Sequence, residues 1–272
     1  MKLAVSSIAW TNDEDVEVAK LLRQLGVKYI ELAPTKRWRD PTKTPVAEIA
    51  EHIAFWKSYD IEIVAFQSML FPRPDLKIFE SADNRAETAA YLSDFIKLAH
   101  TMGAQVMVFG SPKNRQRGTM PDKQANEIAG EFFGKLGDAA KAEGVYFCIE
   151  PNPTDYACDF VTNAKQGIEL VGAVHNEGFG LHLDIAGMTL AGDDITQAIT
   201  YGAPVLRHFH ISSPFLEQVE AGTAVKHDEA AAALRSIGYD RFVSIEMKPG
   251  EVGQNADRVR KAVEFAQKAY GV

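Results

Sequence analysis

Phe147-Cys148-Ile149-Glu150-Pro151-Asn152 is the stretch on which the fold turns: an apolar run suited to a buried strand stops on a carboxylate and a proline. The same shape returns in Leu181-His182-Leu183-Asp184, in His208-Phe209-His210-Ile211-Ser212 and in Ser244-Ile245-Glu246-Met247-Lys248. Working outward, short apolar or β-branched runs place strands at Leu3–Ile8, Tyr29–Ala33, Glu62–Gln67, Gln105–Phe109, Val145–Glu150, Gly180–Asp184, Leu206–Ile211 and Phe242–Met247. Helix-period segments lie between them at Val16–Leu25, Val46–Tyr59, Arg85–Met102, Lys123–Glu143, Ala164–His175, Asp194–Tyr201 and Asp228–Ile237, with Ala256–Tyr270 after the last strand. Gly26, Gly103, Gly144 and Gly238 stand where helix ends call for a left-handed cap.

Strand followed by helix, eight times over, implies parallel pairing through right-handed crossovers, and eight such units can close on themselves. No linker, low-complexity tract or composition break interrupts the alternation, so the expectation is an α/β chain forming one domain over residues 1–272, a single (β/α)8 barrel. An open doubly wound sheet is the competing fold. Its dinucleotide signature, G-x-G-x-x-G after the first strand, is missing, because Ile8 runs into Ala9-Trp10-Thr11-Asn12-Asp13.

Composition narrows the partners. With 46% hydrophobic and 24% charged residues the chain matches a soluble globular protein, and no apolar run approaches the ~20 residues of a membrane span. The first twenty residues lack the continuous apolar core of a signal peptide, which points to a cytoplasmic protein, and Cys148 and Cys158 are read as free thiols. A formal net charge of −8 disfavours nucleic acid, whose binding rests on Lys and Arg neutralising phosphates. The densest basic stretch, Lys113-Asn114-Arg115-Gln116-Arg117, suits a single phosphate or carboxylate.

A barrel builds its active site at the C-terminal ends of its strands, and there strands five to eight place Glu150, Asp184, His210 and Glu246. One strand-end acid alone is commonly a helix cap or a surface ion pair; independent capping does not explain four consecutive strands ending in ligand-type residues. Three carboxylates at one mouth repel each other unless a cation sits among them. Carboxylate oxygens with one imidazole suit manganese, magnesium or cobalt, with zinc a further fit. By strand parity Asn152 shares the face of Glu150, while His182 and His208 lie one step deeper, placed to orient a ligand. Glu31 and Gln67 end strands two and three and, with Asn152, are read as substrate contacts. Lys113, Arg115 and Lys248 are read as cations for an anionic substrate group, Trp10 and Phe71 as an apolar wall. His52, His100, His175 and His227 fall on helices, where surface or capping roles are expected.

The strand ends Ile149-Glu150-Pro151-Asn152-Pro153, Leu181–Asp184, His208–Ser212 and Ser244–Met247, with Ile237-Gly238-Tyr239-Asp240 before the last strand, resemble the sugar phosphate isomerase/epimerase group of the xylose isomerase-like TIM-barrel superfamily. That group includes the tagatose epimerases and hydroxypyruvate isomerases, and the resemblance spans nearly the whole chain. It implies that Glu150 and Glu246 are metal ligands that also shuttle protons, and that Asp184 and His210 complete the site of one divalent ion. The implied reaction is isomerisation or epimerisation of a small sugar-like substrate through an enediolate. Two positions depart from the epimerases: Gly187 stands where they carry a His, and Leu216 where they carry an Arg. The resemblance therefore implies a different subfamily, with weak turnover of free ketohexoses and better turnover of an altered or anionic sugar. Alternatives are an inosose-type dehydratase on the same barrel, an abasic-site endonuclease, disfavoured by Gly187 and the net charge, and a non-catalytic sugar-binding barrel. Assembly into a dimer or tetramer is left open.

Overall fold

In the computed structural model, which describes residues 1–272, the eight runs form β1 (Lys2–Ser6), β2 (Tyr29–Leu32), β3 (Glu62–Phe66), β4 (Val106–Phe109), β5 (Tyr146–Ile149), β6 (Phe179–Asp184), β7 (Leu206–Ser212) and β8 (Phe242–Glu246). Neighbours pair in parallel in chain order, and β8 returns to β1 to close the barrel. Ten α-helices surround it: α1 (Asp15–Gln24), α2 (Pro34–Arg37), α3 (Val46–Lys57), α4 (Ala82–Met102), α5 (Asp122–Ala142), α6 (Ala164–Val174), α7 (Ile185–Ala191), α8 (Ile195–Gly202), α9 (His227–Ser236) and α10 (Asn255–Tyr270). None is long and apolar enough to cross a membrane.

Strand parity sorts the side chains into two layers. Phe109, Phe147 and Phe179 point outward and pack with Phe133 of α5, its ring stacked on Phe179 at 4.9 Å. Each buried ring contributes on the order of 2–3 kcal/mol by removing apolar surface from water, which ties β4, β5 and β6 to one helix. Ala65, Val106, Val108 and Cys148 form a separate small cluster, the complementary parity of the same strands. Both cysteines are free and buried. The cap glycines carry positive φ as anticipated; Gly103, at +83°, ends α4.

Two local differences from the sequence reading bear on the site. The first strand stops at Ser6, whose hydroxyl accepts from the Ile8 amide and turns the chain into a short 3-10 segment, Ser7–Ala9. The short helix α7 escaped the sequence reading because it begins directly on a strand end: Asp184 is its N-cap and accepts from the Gly187 amide at 2.6 Å.

Candidate active site

Glu150, Asp184 and His210 each bring one ligand-type atom to within 4.8 Å of the others at the C-terminal mouth. Glu246 joins through His210, with Oε2 3.3 Å from Nδ1; the same Nδ1 is 3.9 Å from Asp184 Oδ2. The pairing of Asp184 with His210 across β6 and β7, and of Ser212 with Glu246 across β7 and β8, sets these side chains on adjacent rungs.

Each acid is held by a different device. Glu150 follows β5 and fits because Gly110 faces it: a Cβ at position 110 would stand 2.3 Å from Glu150 Oε2. Asp184 accepts from the Gly187 amide through one oxygen and from the Ser212 hydroxyl, at 2.5 Å, through the other. Glu246 accepts at 2.8 Å from Gln67 Nε2, and Gln67 Oε1 accepts from Ser6 at 2.9 Å. A chain of buried hydrogen bonds thus runs from β1 through β3 to β8.

The electrostatics call for positive charge. Burial, and then the neighbouring Glu246 and Asp184 carboxylates, push Glu150 up to about 8. Burial and Glu246 push Asp184 up to about 6. Burial opposes charge on His210, but Glu31 and Glu246 outweigh it and hold the imidazole well above its usual value. His210 Nδ1 is buried, faces two carboxylates and makes no hydrogen bond. Such a donor set of imidazole nitrogen and carboxylate oxygens fits a divalent ion, which would relieve all three perturbations together.

Several residues read as substrate contacts stand elsewhere. Glu31 is fully buried behind His210, and its Oε2 accepts from His210 Nε2 at 2.9 Å and from His208 Nε2 at 3.2 Å. That contact fixes the Nε2–H of His210 and turns Nδ1 toward the acids, so Glu31 orients the imidazole and does not face the mouth. His208 touches Glu31 and no ligand-type carboxylate, while His182 packs its ring 4.1 Å from that of His210 with neither nitrogen hydrogen-bonded.

Arg115 is also fully buried. Its guanidinium donates to the carbonyls of Phe109, Gly110, Glu150 and Phe160 and to Asn152 Oδ1, clamping the loops that follow β4 and β5, so Arg115 is engaged within the protein and Asn152 is engaged through its Oδ1. Lys248 is exposed and paired with Glu217 at 2.5 Å, Lys113 is exposed, and Gln67 is engaged with Glu246. Trp10 is buried in the core against Trp56 while Phe71 is 85% exposed, so the two do not form one wall. His52 and His227, expected at the surface, are buried: His52 Nε2 accepts from Trp56, and His227 Nδ1 pairs with the Tyr270 hydroxyl.

Three participants were not anticipated. Gly110 makes room for Glu150, Ser212 holds Asp184, and the Tyr156 hydroxyl accepts from the Phe215 amide at 3.0 Å. Burial, with the fields of Asp184, Glu246 and Glu150, pushes that hydroxyl up to about 12. Ser212 was open to detection, being two residues past His210 on the same strand face. Nothing in the chain's pattern marks Gly110 or Tyr156.

The sequence profile described as Xylose isomerase-like TIM barrel matches residues 19–269. Among solved structures, a D-psicose 3-epimerase from Clostridium cellulolyticum H10, determined with D-tagatose, is 19% identical and superposes with a TM-score of 0.81 over 99% of both chains. An L-ribulose 3-epimerase is 18% identical, with a TM-score of 0.81 over 100% of this chain and 95% of that one. An IOLI protein with a binding zinc atom is 18% identical, with a TM-score of 0.79 over 100% of this chain and 98% of that one. At such identities the likeness is one of fold. No curated protein matches the chain by sequence.

Proposed function

The chain belongs to the xylose isomerase-like TIM-barrel family, and from that premise we propose that it is a divalent-metal-dependent sugar isomerase or epimerase working by carboxylate-mediated proton transfer. The observation that carries this reading is the convergence of Glu150, Asp184 and His210, with Glu246 against His210, in a field that disfavours three ionised carboxylates. Glu150, Asp184, His210 and Glu246 would hold the ion, with manganese, magnesium or cobalt suited to the oxygen-rich set and zinc to its imidazole. When bound, the ion supplies a Lewis acid that offsets the carboxylates and stabilises negative charge on substrate oxygens.

The remaining chemistry belongs to the side chains. Removing a C–H proton beside a carbonyl needs a base within hydrogen-bond reach, and returning it needs an acid. Glu150 and Glu246 serve as that pair: one, ionised, takes the C–H proton and leaves an enediolate. For epimerisation the other, protonated, gives its own proton to the opposite face; for isomerisation the first returns its proton to the neighbouring carbon while the hydroxyl proton moves to the former carbonyl oxygen. Gln67 keeps Glu246 aimed by donating to Oε1, which leaves Oε2 for the reaction. Glu31 holds His210 in one tautomer.

The substrate is a small sugar or sugar derivative. With Arg115 and Lys248 engaged, Lys113 alone of the three cations is left for an anionic group, whereas Tyr156 and Phe215, edge-to-face at 5.7 Å, supply an aromatic rim for the C–H face of a sugar ring. This reading favours a neutral substrate over the anionic sugar anticipated from sequence. The test is a screen of ketoses, their phosphates and inososes with added manganese in deuterated water, with elemental analysis of protein purified without chelator. Solvent deuterium entering the product beside the carbonyl with no change in mass balance supports proton shuttling. Loss of water assigns a lyase instead, and protein that retains no divalent ion refutes the metal centre.

A further inference from the structure

The N-terminal mouth of the barrel, at the end opposite the acids, gathers cations without acidic partners. The guanidinium carbons of Arg207 and Arg241 stand 4.9 and 5.2 Å from the centroid of the same Tyr146 ring, and Lys2 Nζ stands 5.3 Å from that of Phe242. A cavity of about 250 Å³ opens among Lys2, Gln105, Arg207, Asp240, Arg241 and Phe242. None of the three cations forms an ion pair, although Asp240 borders the cavity; elsewhere Arg73 reaches Asp75 and Glu87, and Lys141 reaches Glu177. Arg207 donates only to the carbonyls of Pro204 and Leu206, and its Nε is buried with no acceptor. The Arg241 and Lys2 side chains donate to no protein group.

Two guanidinium groups on one aromatic ring repel each other, and the ring's negative faces offset only part of that repulsion. A buried N–H without a protein acceptor is uncommon and is met by water, an ion or a ligand. The ligand that answers both demands carries at least two negative charges and several oxygens in a compact shape, since planar guanidinium forks match tetrahedral oxyanions in pairs of hydrogen bonds. The small cavity and the overall charge of −8 disfavour a polyanion. We propose that this mouth is an accessory site for a phosphate dianion, free or carried as the monoester of a small metabolite, bound by Arg207, Arg241 and Lys2.

The test is calorimetric titration of the full chain, in phosphate-free buffer, with inorganic phosphate and separately with glycerol phosphate. Saturable binding is expected for at least one of them, with a rise in thermal midpoint at saturation. Tighter binding of the monoester would assign a metabolite, and tighter binding of inorganic phosphate would assign the free ion. Arg241→Gln should weaken the affinity tenfold or more, and Lys2→Gln serves as a second variant should the first fold poorly. Lys248→Gln, at the opposite mouth, should leave the affinity unchanged. The proposal is overturned if neither ligand saturates below about 10 mM, where a millimolar site fills. It is also overturned if both N-terminal-mouth variants bind like wild type, or if chloride at matched ionic strength gives the same response.

Discussion

The two mouths of this barrel are opposites in charge and in how they are built. At the C-terminal mouth the acids are packed among buried partners: Gly110 leaves room for Glu150, the Gly187 amide and Ser212 hold the two oxygens of Asp184, and Gln67 holds one oxygen of Glu246. At the N-terminal mouth Arg241 and Lys2 lie on aromatic rings, with no protein acceptor for their N–H groups. Preorganisation of this kind is what proton transfer requires, since a base displaced by about an ångström loses much of its effect. A charge resting on a ring can serve binding with far less definition. The contrast teaches that chemistry and charge need not share a mouth, and it can be broken by experiment.

The largest effect belongs to the acids. Glu150→Gln and Glu246→Gln keep shape and volume but cannot accept a proton, so each should lower turnover by roughly 10³-fold or more, within the range removed with a general base. Initial rates at fixed manganese, beside elemental analysis of each variant, separate lost chemistry from lost metal. Activity within a few-fold of wild type in both variants would end the proton-shuttle reading.

Next comes the scaffold under the C-terminal mouth. Arg115→Met removes a buried guanidinium and leaves the carbonyls of Gly110 and Glu150 without their donor, while Phe109 keeps the Glu150 amide and Phe160 the Cys158 thiol. Unmet buried acceptors cost about 1–3 kcal/mol each when nothing replaces the bond, so a loss of at least ~2 kcal/mol in urea unfolding is expected. A loss under ~1 kcal/mol would mean that water takes over the role, and that the loops after β4 and β5 hold themselves.

Acid separates the helical layer from both mouths. His52 and His227 are buried, and burial lowers each to about 4. A folded-state value below the unfolded one of about 6.5 means the unfolded chain binds more protons between those limits. Their stabilisation is therefore complete above pH 6.5 and is lost as pH falls toward 4, by up to ~3 kcal/mol for each histidine. Thermal unfolding across that range should flatten in His52→Gln, His227→Gln. An unchanged slope would shift the cause to other groups.

How much of this was legible before the structure depended on what each residue type announces alone. A run of β-branched and aromatic residues ending on Glu, Asp or His announces both a strand and its end, so all eight strands and the four converging residues stood in the text of the chain. Depth was not legible. Glu31 stands one residue before the end of β2 and Glu246 at the end of β8, but the barrel's stagger pairs Glu31 with Ser6 and sets it behind His210, and the register slip between Ile30 and Glu31 against β3 leaves no mark in the sequence. Nor was engagement legible: Arg115 and Lys248 read as free cations because their acceptors lie up to 46 and 31 residues away. Asp184 shows that helix capping and membership of the cluster are not alternatives, since one carboxylate does both.

A smaller effect is expected one contact away from the acids. Gln67→Leu deletes the donor on Glu246 Oε1 while keeping a similar volume, which frees the carboxylate to turn. The expected change is about tenfold in kcat with KM nearly constant, equivalent to roughly 1.4 kcal/mol, the net worth of one hydrogen bond to a charged group. A change confined to KM would return Gln67 to the substrate-contact role first read from its place at the end of a strand.

The smallest effect is the sharpest test of separation between the mouths. Arg241 and the acids lie at opposite ends of strands of four to seven residues, a span of roughly 15 Å or more at ~3.3 Å per residue. Two charges at ~15 Å with an effective dielectric of ~20 interact by about 1 kcal/mol unscreened, and a Debye length of ~8 Å at physiological ionic strength cuts this several-fold. Arg241→Gln should therefore change kcat by less than about twofold in 0.15 M salt. A modest rise in the difference is expected as salt is lowered. If the variant instead costs tenfold in kcat at high salt, screening cannot account for it, and the N-terminal-mouth cations must act on the acids through the packing of the barrel interior.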